Sequence, residues 1–158
     1  MLRVLIDDGR LSVTDVARQV NVSRASAYNH LERLTETGVI TGYGARVDPR
    51  RLGHEVSALV FLRVDQGRWR PIKQQLLAVP EVELVGLTSG DFDFVVLVRA
   101  TSTDNLRDVV LARLLAMDEV RNTRTMLLFD DVVRGPHVPG LPARGRVVRA
   151  GPSPPARR

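Results

Sequence analysis

Residues 12–34 read S-V-T-D-V-A-R-Q-V-N-V-S-R-A-S-A-Y-N-H-L-E-R-L, a pattern typical of two short helices joined by a tight turn. Ser12 is suited to cap the first helix, and Asp15 three positions later completes the spacing of a capping box. Asn21 interrupts the helical pattern and tolerates the left-handed backbone conformation that a sharp turn requires. Ser23 then caps the second helix. These local signals predict two helices with defined starting points.

Apolar residues recur at helical spacing in both segments, so each predicted helix has one face that can be buried. These residues are Val13, Val16, Ala17 and Val20 in the first helix and Ala27, Leu31 and Leu34 in the second. The small side chain at Ala17 permits a close crossing of the two helices, and Gly38 ends the second helix. Two helices that cross in this way form a helix-turn-helix, whose second helix enters the major groove of DNA.

The solvent side of the second helix is polar or cationic, as a surface for nucleic acid would be. Its candidate DNA-contacting residues are Ser23, Arg24, Ser26, Asn29, His30 and Arg33. We assign Ser23 and Ser26 to phosphates, because hydroxyls and backbone N–H groups at a helix N-terminus suit them. Arg24, Asn29 and Arg33 are assigned to base edges, since arginine suits guanine and asparagine suits adenine. An ordinary solvated helix is the alternative, although such helices more often mix Glu and Lys at i, i+4 spacing.

Composition limits the classes of protein to which this chain can belong. The chain has 158 residues, of which 44% are hydrophobic and 26% charged, the balance of a globular protein. It contains no cysteine, which excludes disulfides and thiolate metal sites and fits a cytoplasmic location. The apolar start from Met1 to Ile6 is too short for a signal peptide, and no apolar run approaches the roughly 18 residues of a membrane span. We therefore expect a cytoplasmic protein that has no membrane partner.

The second half of the chain repeats one succession of elements. Val56 and Phe94 each begin a strand-like run, and Val82 and Val120 each open a further strand; both pairs lie 38 positions apart. The amphipathic helices between them are marked by Trp69, Ile72, Leu76 and Leu77 in the first copy and by Leu106, Val110, Leu114 and Met117 in the second. Two βαβ units in tandem predict a ferredoxin-like βαββαβ domain, in which both helices cover one face of an antiparallel sheet.

The predicted strands are apolar on more than one side. Leu59 and Phe61 are apolar on the side of the first strand opposite to its core residues, and residues 94–98, which include Val96, are apolar on both sides. A sheet that is covered on one face only should alternate apolar and polar residues. We therefore expect a second copy of the chain to cover the open face, with Leu59, Phe61 and Val96 in a homodimer interface. A solvated face would leave an unusually large apolar patch.

Charge and turn residues divide the chain into four parts. Residues 134–158 contain six arginines, no acidic residue and many prolines and glycines, so they account for the net charge of +5 and are predicted to be a disordered tail. Residues 1–43 form the helix-turn-helix domain, whose first helix looks truncated because only its tail end is present. Residues 44–54 form a connecting strand or linker, and a wing or strand is expected within residues 39–47. Residues 55–133 form the βαββαβ domain, so the fold class is α+β.

The order of these domains and several local strings resemble the Lrp/AsnC family of transcription regulators. The strings are Asp8-Gly9-Arg10, the stretch from Gly38 to Tyr43, Val47-Asp48-Pro49, Leu52-Gly53, Pro80-Glu81-Val82 and Ser89-Gly90-Asp91-Phe92-Asp93. The resemblance covers essentially residues 1–131 and implies a winged helix-turn-helix followed by an effector (RAM) domain. It also implies double-stranded DNA as partner, and dimers that associate into octamers or similar higher oligomers.

The same resemblance implies a site for a small-molecule effector, often an amino acid. The string from Ser89 to Asp93 is similar to the Gly-x-x-Asp loop of the family, and its candidate effector-binding residues are Ser89, Gly90, Asp91 and Asp93, with Thr123 and Thr125 as weaker candidates. A carboxylate such as that of Asp93 suits an α-ammonium group. From the residues alone, Ser-Gly-Asp also fits a simple turn, in which glycine supplies positive φ and aspartate caps it.

Two other functions remain open at this point. Proteins of similar architecture include sirohaem decarboxylases, which use His and Arg residues around a tetrapyrrole. The three histidines here are His30, His54 and His137, and none stands at catalytic spacing from a carboxylate or serine. We therefore predict no catalytic residue, no metal site and no cofactor. A ligand-sensing module that does not bind DNA is the second alternative, and it differs in whether Arg24 and Arg33 affect DNA affinity.

Overall fold

The computed structural model describes residues 1–65, 67 and 69–132, which form two compact units. Met1–Arg46 belong to the first unit and Val47–Asp131 to the second. The predicted tail of residues 134–158 lies outside the described residues. No helix in the described part of the chain is long and apolar enough to cross a lipid bilayer.

The described residues of the first unit form three helices, α1 (Leu2–Asp7), α2 (Val13–Gln19) and α3 (Arg24–Glu36). The helix-turn-helix prediction is confirmed, with Val16, Ala17 and Ala27 buried where α2 packs on α3. Asn21 has a φ of 55°, the left-handed conformation expected of the turn. The close crossing depends on the small side chains of Ala17 and Ala27, which are 4% and 0% exposed.

Both predicted N-caps form, but the first one differs from a capping box. The hydroxyl oxygen of Ser12 accepts from the N–H of Asp15 at 3.1 Å, and the hydroxyl of Ser23 accepts from the N–H of Ser26 at 3.1 Å. The Ser12 hydroxyl also donates to the Asp15 carboxylate at 2.6 Å. The aspartate side chain is shorter than that of glutamate, and here its carboxylate bonds the cap hydroxyl rather than the cap N–H.

A wing or connecting strand was expected within residues 39–47, and no β-strand forms there in the single chain. Gly38, with a φ of 70°, ends α3, and the N–H of Ile40 then donates to Leu34 at 2.8 Å. A strand requires a neighbouring strand for its backbone groups. Residues 39–47 pair with no strand in the described part of this chain.

The second unit is an antiparallel four-stranded sheet with helices on one face, which confirms the ferredoxin-like prediction. Its elements are a 3₁₀ turn (Arg50–Leu52), β1 (Val56–Val64), α4 (Trp69–Leu77), β2 (Val82–Leu87), β3 (Phe94–Ala100), α5 (Thr103–Asp108) and β4 (Val120–Leu128). The strand order is β2-β3-β1-β4. After α5 the chain continues as a π-helix over Val109–Leu114, in which the N–H of Leu115 donates to Val110 at 2.9 Å.

The core lies between the helices and one face of the sheet. Its members include Ala58, Val60, Leu62, Ile72, Leu76, Phe94, Val96, Val98, Leu106, Val109 and Leu114. Trp69 and Leu77, which were expected to mark the inner face of α4, are 41% and 51% exposed. Only Ile72 and Leu76 of this helix are buried, since their spacing of four residues places them on one side.

The opposite, open face of the sheet carries Leu59 and Phe61, but not Val96. Val96 pairs with Val60 and is fully buried in the core, so its assignment to a dimer interface was wrong. Strand β3 is apolar at successive positions, so its sequence could not show which residues face the helices. The register pairs Leu59 with Leu97 and Phe61 with Val95, and these are the apolar residues of β3 on the open face.

Candidate DNA-binding and effector sites

The exposed side of α3 carries a groove of about 490 Å³ lined by Ser26, Asn29, His30 and Arg33. These four residues lie at i, i+3, i+4 and i+7, which places them along one side of a helix. Ala27, Leu31 and Leu34 occupy the adjoining side and pack inward. The six DNA-contacting residues predicted from the sequence therefore fall into two groups. Four line this groove, whereas Ser23 and Arg24 do not.

Arg24 and Arg33 point in different directions. They are nine positions apart, which is two and a half turns of helix, so their side chains leave α3 on opposite sides. Arg24 lies in the first turn of α3. From there a side chain reaches the phosphate backbone of DNA more readily than the base edges in the DNA major groove. The geometry thus favours a phosphate role for Arg24 over the base-edge role that we assigned from the sequence.

The sequence assigned both the hydroxyl and the backbone N–H groups of this helix start to phosphates, but one of those N–H groups, that of Ser26, is already used. The N–H of Ser26 is already bonded to the Ser23 hydroxyl oxygen, and the N–H of Ala27 donates to the carbonyl of Ser23 at 2.9 Å. The N–H groups of Arg24 and Ala25, the first two of the helix, precede this cap bond. The helix N-terminus therefore presents those two N–H groups and the serine hydroxyls.

Neither arginine of α3 is paired with a carboxylate in the part of the chain that the structure describes. Among the described residues, no carboxylate forms an ion pair with Arg24 or Arg33. Arg33 instead contacts His30, with 3.3 Å between Nη2 of the arginine and Nδ1 of the histidine. Both side chains are exposed. A guanidinium without a carboxylate partner is available for phosphate or guanine.

The predicted effector loop connects β2 to β3 and is tied to the end of β1. The N–H of Asp93 donates to the Leu62 carbonyl at 2.9 Å, and the N–H of Val64 donates to Oδ2 of Asp93 at 2.8 Å. Nε of Arg63 donates to the Asp91 carbonyl at 2.9 Å. Val64 pairs with Val120 of β4, but strand β3 begins only at Phe94, so on the β3 side the Asp93 carboxylate takes the place of the missing strand partner.

The outer part of this loop is open to solvent. Ser89, Gly90 and Asp91 are exposed, and Gly90 has a φ of 115° that other residues rarely adopt. The Asp91 carboxylate has no hydrogen-bond or ion-pair partner among the described residues. Asp93 is half-buried, and only its Oδ2 is used by Val64. The carboxylate of Asp91 and Oδ1 of Asp93 are therefore the acidic groups that a ligand could meet.

Thr123 and Thr125 do not join this loop in the single chain. Thr123 of β4 pairs with Leu62 of β1. On its other side, Leu62 pairs with Phe94 of β3. Two strand spacings, about 10 Å, therefore separate Thr123 from the start of β3. Thr125 pairs with Val60 and lies two residues farther along. Neither threonine makes a hydrogen bond to the loop within the described residues.

Comparison with known families follows the division into two units. A model of winged helix-turn-helix DNA-binding domains matches residues 1–41. A model of the Lrp/AsnC ligand-binding domain matches residues 57–138, more than half of the chain. The chain belongs to the Lrp/AsnC family. As an Lrp/AsnC protein with a helix-turn-helix, it is a DNA-binding transcriptional regulator.

Several relatives of this Lrp/AsnC protein are similar over most of their length. Transcriptional regulator FL11 of Pyrococcus furiosus is 27% identical, covering 82% of this chain and 85% of that protein. The proline dehydrogenase transcriptional activator of Rhizobium radiobacter is 28% identical, covering 84% and 86%. The solved feast or famine regulatory protein of M. tuberculosis, complexed with L-methionine, is 29% identical with a TM-score of 0.76, covering 82% and 88%. E. coli AsnC, at 24% identity, a TM-score of 0.75 and coverage of 82% and 88%, shares the fold.

The histidines of this Lrp/AsnC protein are dispersed. His30 lies on α3 in the first unit, His54 lies in the second unit, and His137 is outside the described residues. Within the described ranges, no group of three or more His, Asp or Glu side chains is arranged to hold a metal ion. The names of the relatives indicate transcriptional regulators, so the decarboxylase alternative is not favoured.

Sequence reasoning missed an arginine on the open face of the Lrp/AsnC domain. Arg99 of β3 is 5% exposed. It donates to Glu83 at 2.8 Å, to the Ser57 hydroxyl at 2.7 Å and to both carboxylate oxygens of Asp131 at 2.8 and 2.7 Å. The hydrogen bonds from Arg99 hold the pKa of Asp131 below its usual range, while Asp131 and Glu83 raise the pKa of Arg99. An Arg within an apolar strand was the available signal, because such a residue needs acidic partners.

Proposed function

We propose that this Lrp/AsnC protein recognises specific duplex DNA sequences through α3 and that a small molecule, an amino acid or similar zwitterion, alters its assembly or operator affinity. The protein would act in the cytoplasm, where it has access to DNA. The observation that carries the DNA-binding part is the α3 groove, whose lining is polar and cationic. Its arginine is not neutralised by any carboxylate of the described residues.

The α3 residues take different roles in this proposal. Asn29 and Arg33 line the groove and read base edges, because their amide and guanidinium groups match adenine and guanine. Ser23 and Arg24 contact phosphates at the start of the helix, and the Ser26 hydroxyl adds a further contact. His30 lies beside Arg33 and contributes a ring N–H. Base contacts of this kind specify sequence, whereas the phosphate contacts set register.

The effector part is supported by a relative and by the loop chemistry. The M. tuberculosis relative was solved in complex with L-methionine. In this chain Ser89, Gly90 and Asp91 are exposed. They lie on a loop that is held in place by hydrogen bonds to β1. We propose that Asp91 and Oδ1 of Asp93 receive the ammonium group of the effector. Thr123 and Thr125 take part only if a second copy of the chain brings them to the site.

A homodimer is part of the same proposal. The open sheet face combines Leu59, Phe61, Val95 and Leu97, and Leu84 on the edge strand is 50% exposed. A second copy that packs its own sheet on this face would bury these residues. Such a dimer presents two α3 helices, so the operator should contain two half-sites separated by about one helical turn of DNA or a multiple of it. Association of dimers into octamers is the further step that the family resemblance implies.

The DNA-binding proposal is tested by selecting operator sequences from a random duplex pool with the full chain. Arg33→Ala should relax the choice of one base and weaken binding of the selected duplex by about 5- to 150-fold, which corresponds to about 1–3 kcal/mol. Arg24→Ala is the matched control, since removing a group that meets a phosphate should weaken all sequences alike and lower the salt slope by about 1. A wild-type chain that binds no duplex would contradict the proposal and favour a ligand-sensing module without DNA binding.

The effector proposal is tested by calorimetric titration of the full chain with the twenty amino acids, beginning with L-methionine. At least one should bind and change operator affinity, by a coupling of about 1–3 kcal/mol. Asp91→Ala should weaken that binding without unfolding the domain, because the Asp91 side chain supports no other described residue. Failure of every amino acid to bind would contradict this part and leave the DNA-binding part standing.

A further inference from the structure

The contact between His30 and Arg33 pairs a guanidinium donor with a ring nitrogen of the imidazole. Nη2 of Arg33 lies 3.3 Å from Nδ1 of His30. A guanidinium has only donors and remains charged in proteins. In this contact Nδ1 is therefore the acceptor, as it is in the tautomer that carries its proton on Nε2. The pair then presents one imidazole N–H and the remaining N–H groups of the guanidinium.

The same contact limits the freedom of Arg33. An exposed arginine samples many rotamers, and ordering it on DNA costs side-chain entropy. His30 lies one turn before Arg33 on the same side of α3, and both line the groove. No carboxylate of the described residues bonds to Arg33. Among the described side chains, the imidazole is therefore the group that bonds to the guanidinium.

We propose that His30 is a positioning residue that orients Arg33 for guanine, so that the two residues set one base preference as a unit. The inference rests on the proposed DNA-binding function and adds to it. A preorganised fork loses less freedom when it binds the O6 and N7 atoms of guanine. Discrimination at that base should thus depend on both side chains, although only Arg33 makes the bidentate contact.

The experiment is a double-mutant cycle on the operator that the wild-type chain selects from a random duplex pool. Affinities of the full chain are measured for the selected duplex and for duplexes in which each guanine is replaced in turn. The variants are His30→Ala, Arg33→Ala and the double substitution. His30→Gln is the conservative variant, since its amide oxygen can accept from Arg33 while its NH₂ group replaces the imidazole N–H. Arg24→Ala serves as the control outside the groove, and circular dichroism melting confirms that each variant is folded.

The proposal predicts that Arg33→Ala abolishes the preference for one guanine and that His30→Ala lowers the same preference. For coupled neighbours the effect is about 2- to 150-fold. His30→Gln should keep the preference within about twofold, and His30→Ala should change nothing further once Arg33 is alanine. These outcomes together assign His30 to positioning, because a side chain that merely packs on the helix would not be rescued by glutamine.

Three results would overturn the proposal. His30→Ala could leave every base preference unchanged, or its effect could persist in the Arg33→Ala background, which would make His30 an independent reader. Arg33→Ala could select the same sequence as the wild type, in which case Arg33 reads no base. Sequence-specific DNA binding through α3 stands in all three cases, although the third removes the base-edge role that the proposed function gives to Arg33. It fails instead when the wild-type chain selects no sequence from the pool, and the inference then falls with it.

Discussion

Replacing Asp93 with alanine should destabilise the second unit, whatever its role toward a ligand. The carboxylate accepts from the N–H of Val64 at 2.8 Å, and Val64 is 7% exposed. Without the carboxylate, this N–H faces the gap beyond the start of β3 with no partner, which costs about 1–3 kcal/mol. For a domain of this size, each kcal/mol lowers the melting temperature by about 4–8 °C. A loss of about 2 kcal/mol should therefore lower it by about 8–16 °C.

Two matched variants separate the structural role of Asp93 from a role in ligand binding. Asp93→Asn keeps an oxygen acceptor for Val64 and loses only the charge, so we expect a cost of about 1 kcal/mol or less. Asp91→Ala removes a carboxylate that supports no described residue, and its melting temperature should stay near that of the wild type.

The assay is thermal unfolding of the full chain at pH 7 and at one protein concentration, with and without an amino acid that binds the wild type. If Asp93→Asn is stable but is no longer stabilised by the amino acid, the charge of Asp93 contacts the ligand. A melting temperature for Asp93→Ala within about 2 °C of the wild type would refute the argument that Val64 depends on this carboxylate.

Three further predictions concern the sheet face, acid stability and the tail. Phe61→Asp should convert a dimer into a monomer in light scattering at micromolar concentration and weaken operator binding, whereas a wild-type monomer would contradict the proposed interface. The Asp131 pKa is lowered in the folded state, so this group stabilises the fold above its ordinary pKa, and that contribution is lost as the pH falls through the folded pKa. Asp131→Asn should accordingly show a smaller fall in melting temperature between about pH 4 and 2 than the wild type, and equal falls would contradict this. A chain ending at Val133 should keep its fold and operator selectivity but show a shallower salt slope, by about 0.9 for each phosphate that the tail arginines neutralise in the full chain; unfolding of the domain or loss of selectivity would contradict this.

The helix-turn-helix could be predicted from its sequence because its signals are local. Ser23 caps α3, and Asn21 supplies the turn conformation, and each residue acts on backbone groups only a few positions away. The βαββαβ arrangement was likewise readable, since the repeat at 38 positions carries the order of the elements. In both cases the information needed lies within one element or in the spacing between elements.

Other features depend on contacts between distant residues and could not be predicted in this way. Val96 was misassigned because the uninterrupted apolar run of residues 94–98 gives no indication of which side faces the helices. The bond between Asp93 and Val64 spans 29 positions, so the loop sequence looks the same whether this aspartate caps a strand or waits for a ligand. Arg99 gains its partners from three other segments, none adjacent in sequence.

The aromatic contact between the loop and the open sheet face has a thermodynamic consequence. The rings of Phe92, in the loop, and Phe61, on the sheet, lie 5.7 Å apart between centroids at an angle of 52°. A ligand that moves Phe92 therefore alters the surface on which a second chain would pack. Linkage requires reciprocity, so a ligand that strengthens association by a given factor is itself bound more tightly by the associated protein, by that same factor. The apparent affinity for such a ligand would rise with the concentration of the protein, and dilution alone would release it.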